Sequence, residues 1–150
     1  MFRISTKGRY GARLMINLAL HYHDGAPARA LKDVSEEEDI SIRYLEQIII
    51  PLRVSRLVKS VRGAGGGYTL AKPPAAIRMS EVLQAVEGNC CLVECVEDKD
   101  LCPRTSYCAA HELWKEGTKV MKDYFESVSL QDLVKISEKK SKRKLKNIKN

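Results

Sequence analysis

Three cysteines and one histidine lie close together in the chain, in the order Cys95, Cys102, Cys108 and His111. Thiolate sulfur and imidazole nitrogen are side-chain donors well suited to zinc, copper and iron. The spacing, C-x6-C-x5-C-x2-H, lacks the close C-x2-C pair that structural zinc sites use most often. Wide spacing across a loop suits a larger group that the loop surrounds, so it indicates an iron–sulfur cluster.

Other interpretations of these residues stay open. A zinc site, or a reversible thiol switch without metal, is the alternative for the three spaced cysteines. His111 taken alone could be an ordinary residue of a helix surface. Cys90 and Cys91 are adjacent, which makes them a poor joint clamp, and they are predicted to be spare thiols. The sequence contains no C-x-x-C pair and no catalytic constellation, so we predict that the chain is not an enzyme.

A second set of residues has side chains that can read DNA bases. Ser41 is the predicted N-cap of the segment IRYLEQIII, whose first turns would present Arg43, Tyr44, Glu46 and Gln47 to a major groove. An arginine can donate two hydrogen bonds to guanine, a glutamine can pair with adenine, and a glutamate can accept a hydrogen bond from cytosine. We therefore predict that this segment is the reading helix of a DNA-binding motif.

A glycine-rich hairpin is predicted directly after that helix. The runs RLVKSVRG and GGYTLAK are rich in β-branched and aromatic residues and flank a cluster of glycines. Gly65 lies at the predicted tip, where bare backbone can approach a phosphate, and Arg62 at its shoulder is predicted to enter the minor groove. Lys7, Arg9 and Lys59 are predicted to contact phosphates without reading sequence.

These residues must be positioned by a fold that is mainly α with a small β-wing. Amphipathic patterns predict helices over residues 6–23, 31–38 and from 42 onward, where Pro51 predicts a kink or a break. The second and third of these form a helix-turn-helix. A further apolar stripe runs from Ala110 to Val128 and is too long for a small domain to cover alone. It predicts a helix shared by two copies of the chain, with packing on its own domain as the alternative.

The pattern divides the chain into four parts. Residues 1–88 are predicted to form the winged helix-turn-helix domain and residues 89–110 the cluster-binding loop. Residues 107–137 are predicted to form the long dimerisation helix and a short C-terminal helix. Residues 138–150 are predicted to be a basic disordered tail, because they are low in complexity and rich in lysine.

Composition and net charge indicate the kind of protein and the kind of partner to expect. The formal net charge is +7, and seven of the 26 basic residues lie in the final segment KKSKRKLKNIKN. A basic chain favours a polyanionic partner such as nucleic acid. The sequence shows no signal-peptide pattern and no apolar run of membrane-spanning length, so we expect a cytoplasmic protein that does not enter membranes. There the five cysteines are expected to be thiols or metal ligands.

The chain resembles the IscR family of bacterial iron–sulfur winged helix-turn-helix regulators over nearly its whole length. The matching stretches are STKGRYGARLM, DISIRYLEQ, LVKSVRGAGGGY, and the cysteine–histidine motif running into HELW. Glu46 and Arg62 match the family's discriminating glutamate and minor-groove arginine. Arg43 stands where the family prototype has serine, which implies a different operator sequence.

The resemblance also implies a cofactor. Members with three such cysteines and the histidine bind a 2Fe-2S cluster, so Cys95, Cys102, Cys108 and His111 are the implied ligands. Nitric-oxide-sensing relatives bind a 4Fe-4S cluster with the help of an acidic residue where this chain has Gly8, which makes that cluster the less favoured one. The branch that regulates cysteine metabolism lacks the cysteines. IscR has five residues between its first two cysteines and this chain has six, so Cys90 or Cys91 is the alternative first ligand.

Together these patterns predict a homodimeric, DNA-binding transcriptional regulator that binds a double-stranded operator. Repression is the favoured mode, and the signal is the redox or iron–sulfur status read through the bound cluster. A zinc-stapled or clusterless, thiol-sensing regulator is the alternative.

Overall fold

A computed structural model describes residues 3–23 and 27–148 of the chain. It contains seven α-helices, two β-strands and two short 3-10 turns among those residues. The elements are α1 (Thr6–Leu20), α2 (Leu31–Glu38), α3 (Ile42–Val54), β1 (Val58–Val61), β2 (Gly67–Leu70), α4 (Met79–Glu87), α5 (Glu94–Glu97), α6 (Ala109–Ser127) and α7 (Leu130–Ile148). The predicted fold class, mainly α with a small β-wing, is confirmed. No helix in this part of the chain is long and apolar enough to span a membrane.

The helix-turn-helix is fixed by local signals at its turn. Helix α2 ends at Asp39, which takes a left-handed conformation with φ of 50°, and Ile40 then turns into the core. Ser41 begins α3 by accepting a hydrogen bond from the backbone N–H of Tyr44. Leu45 of α3 and its buried neighbours pack in the core against the buried face of α1. This packing sets the orientation of α3 relative to α1.

Helix α3 does not end at Pro51, so of the kink or break that the sequence predicts, the break does not occur. The helix runs from Ile42 to Val54 with the proline inside it. The residues on either side of the proline explain this, because Ile48 and Leu52 are fully buried in the core and Ile49 is nearly so. Burial of these side chains offsets the hydrogen bond that the proline nitrogen cannot donate.

The wing is a two-stranded antiparallel hairpin extended by one isolated bridge. Val58 pairs with Leu70 and Val61 with Gly67. The segment before α2 lies along the outer edge of β2, where Arg29 and Tyr68 exchange two backbone hydrogen bonds of 2.8 Å each. The hairpin is therefore attached to the helical body through β2 as well as through the chain.

The last two helices differ from each other in how they are packed. Much of the apolar surface of α6 is exposed, whereas Leu130 and Val134 of α7 lie in the core with α1. Between the two helices, Ser129 forms a bridge with Arg78, and the N–H of Met79 donates to the carbonyl of Val128 at 2.9 Å. The end of α6 is thus tied to the beginning of α4.

The disordered tail predicted for residues 138–150 is wrong for most of that segment. Helix α7 continues without interruption to Ile148, and residues 149–150 lie outside the described part of the chain. The segment contains no proline or glycine, and lysine, arginine and glutamate are good helix formers. A helix that is already started by buried residues can therefore propagate through it.

Candidate nucleic-acid interface and metal centre

Helix α3 presents one buried face and one exposed face. Its buried face consists of Leu45, Ile48, Ile49 and Leu52, and its exposed positions include Arg43, Glu46 and Gln47. Within the described chain, none of the last three side chains forms an ion pair or a hydrogen bond. Their polar groups are consequently free to bind base edges, as the sequence predicts, with donors and acceptors of the required kinds.

The two other predicted residues of α3 have structural roles. The Oγ atom of Ser41 accepts from the Tyr44 N–H at 3.3 Å and so fixes the first turn. The Tyr44 ring is half-buried and contacts the Tyr10 ring edge-on, with 5.4 Å between ring centroids. The Arg13 guanidinium lies 5.5 Å from the centre of the Tyr10 ring. These contacts hold the N-terminal part of α3 against α1.

The wing tip is open and basic. Arg62 is exposed, and the turn after it is closed by a hydrogen bond of 2.9 Å from the Gly66 N–H to the Gly63 carbonyl. A Cβ atom built at Gly65 would meet nothing within 4 Å, so its backbone is accessible to a phosphate. Lys59 on β1 is exposed as well.

The two basic residues predicted on α1 lie in its first turns. Arg9 is exposed and donates to the hydroxyl of Thr6 at 3.1 Å. Lys7 is half-buried. Both remain predicted phosphate contacts.

A cluster of ion pairs beside the helix-turn-helix was not foreseen from the sequence. Asn17, which is buried, donates to Glu37 at 2.8 Å and to Glu38 at 3.1 Å. Arg13 pairs with Glu38, and Arg29 pairs with Glu37. The hydrogen bond from Asn17, followed by that from Arg29, lowers the pKa of Glu37. Two carboxylates of the acidic helix α2 are thereby neutralised internally, which lessens their repulsion of a nearby polyanion.

The predicted metal ligands lie on three consecutive pieces of chain. Cys95 is in α5, Cys102 follows the 3-10 turn Lys99–Leu101, and Cys108 is the residue at which α6 begins. His111 is in the first turn of α6, where its backbone N–H donates to the backbone carbonyl of Cys108 at 3.1 Å. Helix α5 packs against α6, so the segment folds back on the helix that carries the histidine.

Two of the four predicted ligands line one cavity. Cys102 and His111 both face a cavity of about 530 Å³, which also contains Thr105, Ser106 and Lys115 in its wall. The His111 side chain is only 4% exposed, and its Nδ1 atom is buried without a hydrogen-bond partner among the described residues. A buried ring nitrogen without a partner is costly unless something binds it. His111 and Cys102 are thus two residues of one cavity wall whose side chains are of types that bind metals.

The other two predicted ligands are not brought to the same place. Among the described residues, no three His, Cys, Asp or Glu side chains are grouped so as to hold a single metal ion. All five cysteines are free and half-buried. Of these, Cys102 alone is in the wall of the cavity that contains His111. The structure thus brings together two of the four donors that an iron–sulfur group would need, Cys102 and His111, while Cys95 and Cys108 stay predicted ligands.

Cys90 and Cys91 lie further along α6, close to Lys122, which is about three helical turns beyond His111. Cys90 lines a separate cavity of about 330 Å³ with Lys122 and Phe125, and the Cys91 sulfur is 3.8 Å from the Lys122 amine. Burial, with a further effect of the nearby Glu87, raises the pKa of the Cys90 thiol. Cys90 does not line the cavity that contains Cys102 and His111.

Gly8, at the position of the acidic ligand in the nitric-oxide-sensing relatives, is buried against a carboxylate. A Cβ atom there would overlap Glu87 and lie 2.7 Å from Ile4. The same carboxylate accepts hydrogen bonds from the backbone N–H of Ser5 at 3.1 Å and from its hydroxyl at 2.6 Å. Close packing of α1 on α4 accounts for glycine at this position.

Comparison with known proteins agrees with this fold. A family model named Rrf2 and described as an iron-dependent transcriptional regulator matches residues 4–136. The regulator IscR of Erwinia tasmaniensis is 39% identical over 132 residues, which cover 88% of this chain and 78% of that protein. The relatives include other proteins named as transcriptional regulators, in agreement with a non-enzymatic role.

Two solved structures share both the fold and much of the sequence. The structure of CymR, the global cysteine regulator of Bacillus subtilis, superposes with a TM-score of 0.75 at 39% identity and covers 91% of this chain and 98% of that one. The structure of IscR from T. potens gives a TM-score of 0.74 at 34% identity and covers 92% and 90% of the two chains. The resemblance inferred from the sequence is confirmed, and the chain belongs to the Rrf2 family of transcriptional regulators.

Proposed function

We propose that this protein is a homodimeric regulator that senses redox or iron–sulfur status through a 2Fe-2S cluster, and that it represses transcription from a double-stranded operator. Cys95, Cys102, Cys108 and His111 are the proposed ligands. Two observations support the proposal: His111 and Cys102 line one cavity, and the buried Nδ1 atom of His111 has no hydrogen-bond partner among the described residues. This role places the protein in the cytoplasm, where chromosomal DNA is accessible.

The proposed reading surface consists of α3 and the wing. The free side chains of Arg43, Glu46 and Gln47 would contact base edges in the major groove, while Arg62 would enter the adjacent minor groove. Ser41 and Tyr44 position α3. Lys7, Arg9, Lys59 and the Gly65 backbone would contact phosphates and set the register of the head on the duplex.

The proposed dimer interface is the exposed apolar face of α6. Leu113 is 62% exposed, Val120 59% and Tyr124 64%, and the seven residues from Leu113 to Val120 return to nearly the same side of a helix. So much exposed apolar surface on one helix is typical of an interface. A second copy of the same helix is its proposed partner, since paired copies would hold two heads at the spacing of a palindromic site.

An iron–sulfur cluster would supply reversible one-electron chemistry and an affinity for thiolate and imidazole donors. The chain's own residues would determine whether the cluster stays bound. Imidazole binds a metal only as the neutral ring, so a proton competes for the nitrogen of His111. The His111 side chain is buried, whereas Cys102 is half-buried. Loss of the group would release the loop from the first turn of α6.

The test is the composition and colour of protein purified without air. We expect visible absorption together with iron and acid-labile sulfide in equal amounts. The variant C102A should lose the absorption and the iron while remaining dimeric in sedimentation. The matched control is C90A, which removes a thiol outside the proposed site and should stay coloured. Colourless, iron-free wild-type protein that binds its target with undiminished affinity would overturn the proposal.

A clusterless thiol-responsive regulator is the second candidate. It is favoured by the separation of the cysteines, since no three ligands are grouped in the described chain, and by similarity to a structure described as the oxidized form of CymR from Staphylococcus aureus. The same samples separate the candidates. Stoichiometric zinc without colour would indicate a zinc-stapled module, and metal-free protein whose DNA affinity changes on oxidation would indicate the thiol sensor.

A further inference from the structure

The C-terminal end of this protein carries a dense cluster of positive charge. Seven of the 26 basic residues lie within residues 139–150, and this segment contains no acidic residue. The remaining 19 basic residues are balanced by the 19 Asp and Glu, all of which precede residue 139. Residues 1–138 are therefore neutral overall, because the winged helix-turn-helix of residues 1–88 has 13 basic and 9 acidic residues and residues 89–138 have 6 basic and 10 acidic residues.

Most of the basic segment is the second half of a well-anchored helix. Leu130 and Val134 fix α7 in the core, whereas residues 138–144 are all exposed. The helix continues to Ile148, which at 1.5 Å per residue extends it by about 16 Å beyond Ser137. The match to the family model ends at residue 136. We call residues 138–148 the basic arm; it lies outside the region that defines the family.

Repulsion between like charges lowers the stability of the helix in the basic arm. Lys139 precedes Arg143 by one helical turn and Lys140 precedes Lys144 in the same way. Like charges at this separation destabilise a helix, although the negative end of the helix dipole offsets part of the effect. No described side chain of residues 139–144 forms an ion pair within the chain. A row of phosphates would relieve the repulsion of the whole arm.

We propose that the basic arm is a second DNA-binding element, which contacts the phosphate backbone of the duplex read by α3. This inference rests on the proposed function, because that function brings a duplex to the same molecule. Tethering to an already bound duplex raises the effective concentration of phosphate at the arm. A membrane surface is a poorer partner, since an interfacial helix needs a continuous apolar face and the arm has only Leu145 and Ile148 as apolar residues.

The arm is tested by the salt dependence of binding to DNA. The neutral variant carries K139Q, K140Q, K142Q, R143Q and K144Q, which preserve helix propensity and much of the side-chain length. The matched control exchanges lysine and arginine at the same five positions (K139R, K140R, K142R, R143K, K144R) and so keeps the charge. Fluorescence anisotropy would measure the affinity of each full-length protein for two labelled duplexes, at salt concentrations from about 50 to about 200 mM. One duplex comes from the region upstream of the protein's own gene and the other is an unrelated duplex of equal length.

Removal of one phosphate contact lowers the slope of log affinity against log salt by about 0.9. If the arm makes two contacts per protomer, the slope of the neutral variant falls by about 2 per bound protomer, on both duplexes. For each bound protomer, the affinity of the wild type then decreases about tenfold more than that of the variant across the salt range. The charge-keeping control should match the wild type.

An unchanged slope in the neutral variant would overturn the inference. So would tighter binding by that variant, which would mean that the arm instead binds the acidic segment near Cys95. If the proposed function is wrong, the result is different: the wild-type protein will bind the upstream duplex and the unrelated duplex with the same affinity. An altered salt slope on the unrelated duplex would still be measurable in that case.

Discussion

Replacing Gly67 with alanine should detach the wing from the helical body. Gly67 has a φ of 151°, in the region that side chains with a Cβ atom rarely adopt. A Cβ atom at this position would overlap the carbonyl of Arg29 and lie 2.8 Å from the backbone nitrogen of Ala30. Both neighbours are backbone atoms, so no side-chain rotation can relieve the overlap. The bridge between Arg29 and Tyr68 must open instead.

The expected decrease in stability follows from the interactions that the bridge supplies. Opening the bridge removes the two hydrogen bonds of 2.8 Å between Arg29 and Tyr68, each contributing about 1 kcal/mol. Backbone strain at the positive φ adds about 1.5 kcal/mol. The reduced entropy of the unfolded chain offsets about 0.5 kcal/mol. The free energy of unfolding should therefore fall by about 3 kcal/mol.

Urea unfolding followed by circular dichroism, at one fixed protomer concentration, would measure this change. The control is G65A, two residues away in the same turn, where a Cβ atom would meet nothing within 4 Å and the change should stay within about 0.5 kcal/mol. We also expect G67A to bind DNA more weakly than G65A, because the wing that carries Arg62 would no longer be fixed to the helical body. Equal stability of the two variants would refute the close packing of Gly67 on Arg29 and the account of the wing that depends on it.

Two further predictions concern the dimer and the acidic helix. The double variant L113E/V120E should be monomeric in sedimentation velocity, because each charge would enter the proposed interface, and persistent dimers would place the interface elsewhere. The pKa of Glu37 is held below 4.5 by the hydrogen bond from Asn17 and then that from Arg29, so its stabilising effect is complete above pH 4.5 and is lost as the pH falls through the lowered value. In urea unfolding, the variant E37Q should therefore be less stable than wild type near neutral pH, and the difference should shrink as the solution is made acidic. The control is E36Q, at an exposed site without an ion pair in the described chain, which should show no such trend.

The parts of the fold that depend on neighbouring residues could be predicted from the sequence. Ser41 lies one residue before α3 and caps it, and the hairpin pairs the two β-rich runs on either side of the glycines. Such signals act over a few residues and are present in any single sequence. The order of helix-turn-helix and wing was predictable for this reason.

The features that were missed depend on distant residues. The helix through Pro51 is maintained by burial of Ile48 and Leu52 against α1, which outweighs the local preference of proline. The pairing of Asn17 with Glu37 and Glu38 joins residues that are 20 and 21 positions apart, and nothing in the spacing marks it. The basic arm continues a helix whose anchor, Leu130, lies in the core with α1. Tertiary contacts decide each of these cases.

The metal-ligand segment was predicted in composition but not in arrangement. Residue type and spacing predict Cys102 and His111 as metal ligands, which stays a prediction, and the structure places both in the wall of one cavity. The burial of the histidine could not be inferred, since it depends on how α5 folds back on α6. The position of Cys95 relative to that cavity depends on the same loop, whose charged sequence has no apolar periodicity to fix it.

The course of α6 gives a physical route from the proposed ligands to the DNA-binding head. The helix begins at Cys108, carries His111 in its first turn, and ends at Val128, whose carbonyl accepts from Met79 at 2.9 Å. A continuous helix of 19 residues transmits a displacement of its first turn along about 28 Å. Because Met79 begins α4, and α4 packs on α1 in the core, movement of α6 would alter the angle between the two heads of a dimer. In the proposed regulator, the group held by His111 therefore needs to bias only the position of one helix in order to change the fit to two half-sites.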